Sequence, residues 1–221
     1  MRYSLLLPLR PLASRFTLLL SAGMAVSVSA STLIMNAVII DGSGAPPEQG
    51  SVRISDSRIV AKGDLIPLDT DTVIDAAGYV LAPGFIDTHS HADALILSQR
   101  EALPKVTQGI TTVIVGQDGE SPYPLSGFFT ALEQRPAKIN VAAFAGHNTL
   151  RNEVMHHDAN RSANEAEVGA MQVLLQSELA AGALGLSSGL EYEPGIYSSP
   201  AEVLILAQEA ARGGGRYISH L

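Results

Sequence analysis

Between residues 33 and 75 the chain alternates short apolar runs with polar turn residues, a pattern typical of β-strands. The apolar runs fall at 33–40, 50–54, 58–61 and 72–75. Ser55-Asp56-Ser57 separates the second run from the third, and we expect these two runs to form a hairpin. Together the four runs predict a small antiparallel β unit.

From His91 onward, apolar runs alternate with longer amphipathic segments. Buried strands are predicted at 110–115, 139–145, 183–188 and 216–220, and an apolar strand over 78–86 precedes them. Strands that alternate with helices are typical of parallel βαβ units. A doubly wound sheet is one arrangement of such units, but no glycine-rich phosphate-binding loop follows any of these runs.

Three helices are predicted between the strands. One covers 124–134, and a second opens at a capping box formed by Ser162 and Glu165. The second helix carries an apolar stripe that we expect in the core, formed by Val168, Met171, Leu175 and Leu179. The third begins at Ser199, with proline in its first turn and Glu202 as the capping-box acid, and it runs to Arg212.

Composition indicates a chain that can bury a sizeable core. Hydrophobic residues make up 46% of the 221 residues and charged residues 16%, which excludes a disordered chain. The net charge of −8 argues against nucleic acid as a partner, because binding phosphates requires a basic surface. The chain has no cysteine, so neither disulfides nor thiolate metal ligands are available.

The N-terminal segment has the composition of a secretory signal. Arg2, Arg10 and Arg15 precede an apolar run over 16–28, and small residues follow up to Ala30. We therefore expect residues 1–30 to be a signal peptide and the protein to be exported, either periplasmic or secreted. The apolar run is shorter than the roughly 20 residues of a membrane span, so no stable membrane anchor is expected. Removal of residues 1–30 changes the net charge from −8 to −11.

Polar residues follow the predicted strands, one after another, where each strand ends. They are His89 and His91, Gln117 and Asp118, Gly146 and His147, Ser187 and Ser188, and His220. The carboxyl ends of parallel strands meet at one edge of a sheet or barrel, where active sites are built. This pattern predicts a single functional site at that edge.

The chemistry of these residues suits a divalent metal. Side chains alternate faces along a strand, so His89 and His91 are expected to project to the same side, with Ser90 turned away. Imidazole and carboxylate ligands suit zinc, and a catalytic zinc keeps one position open. Asp118 supplies the oxygen in this interpretation. The alternatives are solvated histidines at 89 and 91 and an ordinary turn residue at 118.

The segment from Ala82 to His91, Ala-Pro-Gly-Phe-Ile-Asp-Thr-His-Ser-His, resembles the first barrel strand of the amidohydrolase superfamily. Further matches resemble its N-acyl-D-amino-acid deacylase (D-aminoacylase) branch, and the resemblance runs from about Ala37 to Leu221. It implies an α/β fold, an incomplete (β/α)8 TIM barrel with about five strands, preceded by a small β-sandwich portion. The implied domains are the sandwich portion over 31–80 and the truncated hydrolase barrel over 81–221.

The same resemblance implies roles for individual residues. His89, His91, Asp118 and His220 would be the metal ligands, with Tyr192 and His147 beside the substrate. The latter histidine could instead make a structural hydrogen bond. No catalytic residue is expected in this chain, because the aspartate that shuttles the proton in the family would lie beyond Leu221.

One position departs from the family pattern. The branch usually has cysteine where this chain has Asp118, within Val-Gly-Gln-Asp-Gly. A carboxylate is a harder ligand than a thiolate, so the cofactor expected is one or two Zn²⁺ ions, with Mn²⁺ or Co²⁺ as alternatives. None of the three lysines, Lys62, Lys105 and Lys138, ends a predicted strand, which disfavours a site bridged by a carbamylated lysine.

The function implied is metal-dependent hydrolysis of a linear amide, specifically the deacylation of a small-molecule N-acyl-D-amino acid. Two alternatives stay open at this point. The chain could be a non-catalytic remnant, because five strands cannot close the barrel. A cyclic-amide hydrolase of the same superfamily is disfavoured by the lysine positions. The sequence leaves the oligomeric state open.

Overall fold

The computed structural model describes residues 30–220, in two compact units that divide after Ala82. The predicted signal peptide, residues 1–30, lies outside the described residues except for Ala30. Over residues 30–220, every helix is too short or too polar to cross a bilayer.

The N-terminal unit is one mixed β-sheet. Its strands are β1 (Ser31–Ile39), β2 (Glu48–Ser55), β3 (Arg58–Gly63), β4 (Asp71–Asp75) and β5 (Val80–Leu81). The first three pair antiparallel, and Asp56 and Ser57 form the turn between β2 and β3, as the sequence predicted. The expectation of a wholly antiparallel unit is wrong, because β4 and β5 both pair with β1 in parallel. The connection from β3 to β4 crosses from one edge of the sheet to the other, and β5 continues after β4 along the same edge of β1.

A buried ion pair holds this sheet together across three strands. The Asp71 carboxylate on β4 accepts hydrogen bonds from Arg53 Nη2 on β2 at 2.8 Å and from the Ser31 hydroxyl on β1 at 2.5 Å. The Leu68 backbone N–H also donates to it, at 2.8 Å. Hydrogen bonds from Arg53, followed by those from Ser31 and Leu68, hold the pKa of Asp71 well below its ordinary value.

The C-terminal unit contains parallel strands in two three-stranded sheets. These strands are β6 (Phe85–Asp87), β7 (Ile110–Val115), β8 (Asn140–Ala143), β9 (Ala145–Gly146), β10 (Gly185–Ser188) and β11 (Arg216–Ser219). The sheet orders are β6-β7-β8 and β11-β10-β9, which confirms the parallel pairing expected from the alternating pattern.

Two predicted strands are interrupted. The run over 78–86 is not one strand, because Ala82-Pro83-Gly84 separates β5, in the first unit, from β6, in the second. The run over 139–145 breaks at Phe144, so that β8 pairs with β7 while β9 pairs with β10. The Phe144 N–H still donates to Val115 O at 3.0 Å, and Leu184 N–H donates to Ala143 O at 2.8 Å. The backbone is therefore hydrogen-bonded through the break.

Helices cover the strands of the second unit. They are α1 (Asp93–Ile96), α2 (Leu103–Val106), α3 (Leu125–Gln134), α4 (His147–Met155), α5 (Glu165–Ala180) and α6 (Pro200–Arg212). Short 3₁₀ turns occur at His156–Asp158 and Gly195–Tyr197.

The cap of α5 lies two residues later than the sequence suggested. Asn164, not Ser162, is the N-cap, and it forms a reciprocal capping box with Glu167 instead of Glu165. Both sequence frames offer a polar cap followed three residues later by glutamate, so the local pattern alone could not choose between them. Val168, Met171 and Leu175 are buried in the core as predicted, with Leu179 packed against them.

The Asp71 ion pair predicts how the stability of the N-terminal unit changes with pH. Because the pKa of Asp71 is lower in the folded than in the unfolded state, its carboxylate stabilises the fold above the unfolded value of about 3.9. That contribution is lost as the pH falls through the folded value. Asp71→Asn should therefore reduce the loss of stability that the unaltered chain shows as the pH falls from about 5 towards about 1, measured as urea midpoints at successive pH values.

The exposed neighbour Asp69 provides the control, since Asp69→Asn should retain the pH dependence of the unaltered chain. Equal pH dependence in Asp71→Asn and the unaltered chain would contradict this account.

Candidate metal centre

Two histidines of the candidate site follow β6 directly. His89 and His91 lie in an irregular segment after the strand, with side chains that are 55% and 61% exposed. Ser90 between them is buried, and its N–H donates to Ile114 O on β7 at 3.0 Å. The backbone bond at Ser90 anchors the segment to the neighbouring strand, so both imidazoles are turned the other way.

Asp118 lies in the tight loop that follows β7. Its φ is +56°, in the left-handed region that aspartate adopts more readily than most residues. Gly116 and Gly119 on either side have φ values of +73° and +84°. A Cβ at Gly119 would lie 2.9 Å from Asn148 Cγ and from Gly189 N, so the loop has no room for a side chain there.

The side chains of His89, His91 and Asp118 converge. Nε2 of His89 and Nε2 of His91 each lie 3.1 Å from Oδ2 of Asp118. The ligand atoms of these three residues all lie within 4.8 Å of one another. The loops after two neighbouring parallel strands therefore bring two imidazoles and a carboxylate to one point.

His220 joins the same cluster from the end of β11. Its Nδ1 lies 3.3 Å from Oδ1 of Asp118, the carboxylate oxygen that the other two imidazoles leave open. Its backbone N–H donates to Ser188 O on β10 at 2.8 Å, which fixes where the chain emerges from the strand. On its other side, Nε2 of His220 lies 3.2 Å from the Tyr192 hydroxyl.

The electrostatics of Asp118 reflect these neighbours. Desolvation in its mostly covered position raises its pKa, but hydrogen bonds and charge from His89 and His220 outweigh that effect. The pKa of Asp118 is therefore below its ordinary value, and the group is an anion at neutral pH. A carboxylate facing three imidazoles is a suitable oxygen ligand for a cation.

Gln117 connects the two loops of the site. It is buried, and its Nε2 donates to Thr88 O at 3.1 Å and to Ile114 O at 2.9 Å. The side chain next to Asp118 therefore holds the backbone next to His89. Sequence reasoning placed Gln117 at the strand end but assigned it no role, because its partners are backbone carbonyls that no sequence pattern reveals.

These residues fit a divalent metal by donor type and by spacing. Zinc bound at about 2.0–2.1 Å in tetrahedral geometry places neighbouring ligand atoms about 3.3 Å apart. The two nitrogen–oxygen distances to Oδ2 of Asp118, 3.1 Å each, are close to that spacing. His220 lies 3.3 Å from the other oxygen, Oδ1, and is outside the group of ligand atoms within 4.8 Å of one another. Imidazole and carboxylate donors suit zinc, and manganese or cobalt as well.

His89, Asp118 and His220 line one side of a cavity of about 290 Å³. The other lining residues are Thr88, Ile114, Gln117, Phe144, Ile218 and Ser219. The cavity is large enough for a small ligand, and its wall combines three apolar side chains with six polar residues.

The carboxylates that flank the histidines do not hydrogen-bond to the imidazole rings. Asp87 pairs instead with Lys105, whose Nζ lies 2.6 Å from Oδ2, and the His89 backbone N–H donates to Oδ1 at 3.4 Å. The hydrogen bond from Lys105 lowers the pKa of Asp87. Burial raises the pKa of Asp93.

The structure separates the two predicted substrate-binding residues. Tyr192 is beside the cluster through its contact with His220. His147 is only 1% exposed and lies 2.8 Å from the buried carboxylate of Glu202. It does not line the cavity and makes the structural hydrogen bond that the sequence also allowed, while its placement beside substrate stays a prediction.

The chain is similar to known proteins over most of its length. The profile described as "Amidohydrolase family" matches residues 72–212. N-acyl-D-aspartate deacylase from Alcaligenes xylosoxydans xylosoxydans is 40% identical over 213 residues, a match that covers 86% of this chain and 43% of that protein.

Two solved structures are also similar. N-acyl-D-glutamate deacylase from Bordetella bronchiseptica, complexed with zinc and a phosphonate inhibitor, has a TM-score of 0.82 and 36% identity, covering 87% of this chain and 45% of that one. A D-aminoacylase has a TM-score of 0.78 and 35% identity, covering 86% and 45%. The chain spans less than half the length of each of these relatives.

The glycine at 119 predicts a stability difference between two substitutions. Gly119→Ala should destabilise the fold by more than about 1 kcal/mol, because its φ disfavours a side chain and the Cβ would contact backbone. Gly169→Ala, within α5, meets nothing within 4 Å and should stabilise the fold by about 0.5–1 kcal/mol. Denaturant unfolding of both variants tests this, and similar changes in both would refute the loop geometry.

Proposed function

Because the chain belongs to the amidohydrolase family, we propose that it hydrolyses a linear amide with the help of a divalent metal. The substrate class proposed is the N-acyl-D-amino acids, which would be cleaved to a carboxylate and a free D-amino acid. The single observation that carries this proposal is the convergence of His89, His91 and His220 on the carboxylate of Asp118. The names of the relatives, deacylases of N-acyl-D-aspartate and N-acyl-D-glutamate, support the substrate class.

The proposed metal is Zn²⁺, at one or two sites, with Mn²⁺ or Co²⁺ as alternatives. Zinc is supported by the zinc complex of the Bordetella deacylase and by the imidazole-rich donor set. His89, His91, Asp118 and His220 would hold the ion. A bound divalent ion would polarise an amide carbonyl and lower the pKa of a water molecule towards about 7.

The residues of this chain would bind the metal ion and hold its ligands in a fixed orientation. The three imidazoles would supply neutral nitrogen ligands, and Asp118 would neutralise part of the cation's charge. Gln117 would hold the loops of Asp118 and His89 at a fixed separation through its two backbone contacts. The Tyr192 hydroxyl would orient the His220 ring, since a histidine ligand is usually held through its second nitrogen.

The proposal extends to the fold and the location of the protein. We propose that the second unit is part of a (β/α)8 barrel and the first unit part of a β-sandwich. Support comes from the parallel strands with polar residues at their carboxyl ends. The basic and apolar composition of residues 1–30 supports export to the periplasm or medium.

Metal removal tests the proposed activity. The chain is loaded with Zn²⁺ and incubated with N-acetyl-D-aspartate, N-acetyl-D-glutamate and N-acetyl-D-leucine, and the free amine is measured with and without a chelator. We expect chelation to abolish amine release and added Zn²⁺ to restore it. His91→Ala should weaken zinc binding at least tenfold, on the order expected for a lost ligand contact.

The matched control is His157→Ala, because His157 is exposed on a 3₁₀ turn outside the cluster. Amine release that ignores the chelator would refute the metal mechanism. Zinc binding without amine release would favour the alternative of a metal-binding chain that does not turn over.

Substitution of the oxygen ligand tests the choice of metal. Asp118→Cys replaces a hard ligand with a soft thiolate, so Zn²⁺ should bind more tightly and Mn²⁺ more weakly. Asp118→Ala should weaken both. Competition titrations of the two ions measure the ratio of their dissociation constants, and an unchanged ratio in Asp118→Cys would show that Asp118 is not a ligand.

A further inference from the structure

A buried ionic cluster lies outside the metal centre and takes no part in the chemistry proposed above. Glu202 on α6 is 1% exposed, and its Oε1 accepts from Arg151 Nη1 at 2.5 Å. The same oxygen lies 2.8 Å from Nε2 of His147. Both partners belong to α4, and both are buried. The carboxylate therefore joins α6 to α4 through two contacts. The contact with His147 lies in the opening turn of α4.

The sequence assigned Glu202 a different role. Its position three residues after Ser199 suggested a capping-box acid, and the Ser199 hydroxyl does accept from the Glu202 N–H at 3.2 Å. The Glu202 carboxylate points to α4 instead of folding back on its own helix. Desolvation raises the pKa of Glu202, but hydrogen bonds from His147 and Arg151 outweigh it, and the carboxyl is ionised.

The opening turn of α4 is bonded to the loop that carries Asp118. The Thr149 N–H donates to Gly119 O at 3.2 Å, and its hydroxyl accepts from the Ser121 N–H at 3.0 Å. The Gly146 N–H donates to the Ser121 hydroxyl at 2.9 Å. The residues directly after Asp118 are thus held by the residues on either side of His147.

These contacts matter because the Asp118 loop has a backbone conformation that is unfavourable for most residues. Asp118 has a positive φ, and a residue other than glycine stays in that conformation only where the surroundings fix it. The position of the Asp118 carboxylate depends on that backbone. A rotation of the loop would move Oδ1 and Oδ2 away from the three imidazoles.

The cluster is also a poor device for stability alone. Replacing a buried ionic group by apolar residues of similar volume is often neutral or stabilising. Glu202 Oε2, His147 Nδ1 and Arg151 Nε have no hydrogen-bond partner within the described part of the chain, so the network is incompletely satisfied. The ionic contacts are directional, and they therefore fix the rotation and position of the first turn of α4.

We propose that Glu202 is a positioning residue for the metal centre, which fixes Asp118 through His147, Arg151 and the α4 contacts to residues 119–121. The inference rests on the metal centre of the proposed function. It assigns a role at that centre to a carboxylate that does not line its cavity.

The test uses the full chain and two readouts. Glu202→Gln should raise the Zn²⁺ dissociation constant about tenfold, the order seen when groups behind a ligand are altered. In the metal-free chain it should speed amide hydrogen exchange at 119–121 about tenfold, with exchange in α5 unchanged. Thr149→Val should shift both readouts in the same direction, and Thr149→Ser, which keeps the hydroxyl, should restore them. The double variant should change binding by less than the product of the single effects.

Glu209→Gln is the matched control, because Glu209 is a buried glutamate on the same helix that binds Gln172 and Gln176 of α5. It should lower the stability of the fold without changing zinc affinity or the exchange rates at 119–121.

Each outcome decides between the proposals. Equal zinc affinity in Glu202→Gln and Glu209→Gln, or faster exchange spread evenly over the unit, would overturn the positioning role. If the unaltered chain binds no Zn²⁺ but Glu202→Gln still loosens 119–121, the positioning of the loop stands and the proposed metal chemistry falls. If Glu202→Gln does not fold, the Thr149 variants decide, and identical behaviour of Thr149→Val and Thr149→Ser overturns the proposal.

Discussion

The candidate site depends on the parallel pairing of strands in the second unit. Parallel strands end at the same edge, so residues far apart in the chain emerge side by side. His89 follows β6, Asp118 follows β7 and His220 follows β11, and their side chains meet at 3.1–3.3 Å. No local sequence feature could bring residues 89 and 220 together. The sheet does so by fixing where each strand stops.

The interruption at Phe144 lets one run of the chain pair with both sheets of the second unit. The third run divides into β8, which pairs with β7, and β9, which pairs with β10. His89 and Asp118 therefore belong to one sheet and His220 to the other, with the backbone bonds around Phe144 joining them. The candidate metal centre lies where the loops of the two sheets meet, and His89, Asp118 and His220 line the cavity together with Phe144.

Around the exposed ligands lies a set of buried polar side chains that hold backbone in place. The Gln117 side chain binds the backbone near His89, and the Thr149 hydroxyl binds the backbone N–H of Ser121. Ser187 accepts from the Gly119 N–H at 3.2 Å. The sequence placed Ser187 at a strand end without assigning it a partner. These contacts fix a loop with positive φ at Gly116, Asp118 and Gly119, a conformation that its own sequence permits but does not enforce.

The sequence by itself determined most of the strands, the helices α3, α5 and α6, the parallel pairing in the second unit and the candidate ligands. Each of these follows from local periodicity or from the position of polar residues after apolar runs. Only the tertiary structure decided which polar residues share a site, because His147 and His220 both follow strands and only His220 faces Asp118. It also decided the role of Glu202 and the parallel course of β4, since each depends on a partner distant in the chain. Local sequence fixes what a segment can do, and packing against distant segments selects among those options.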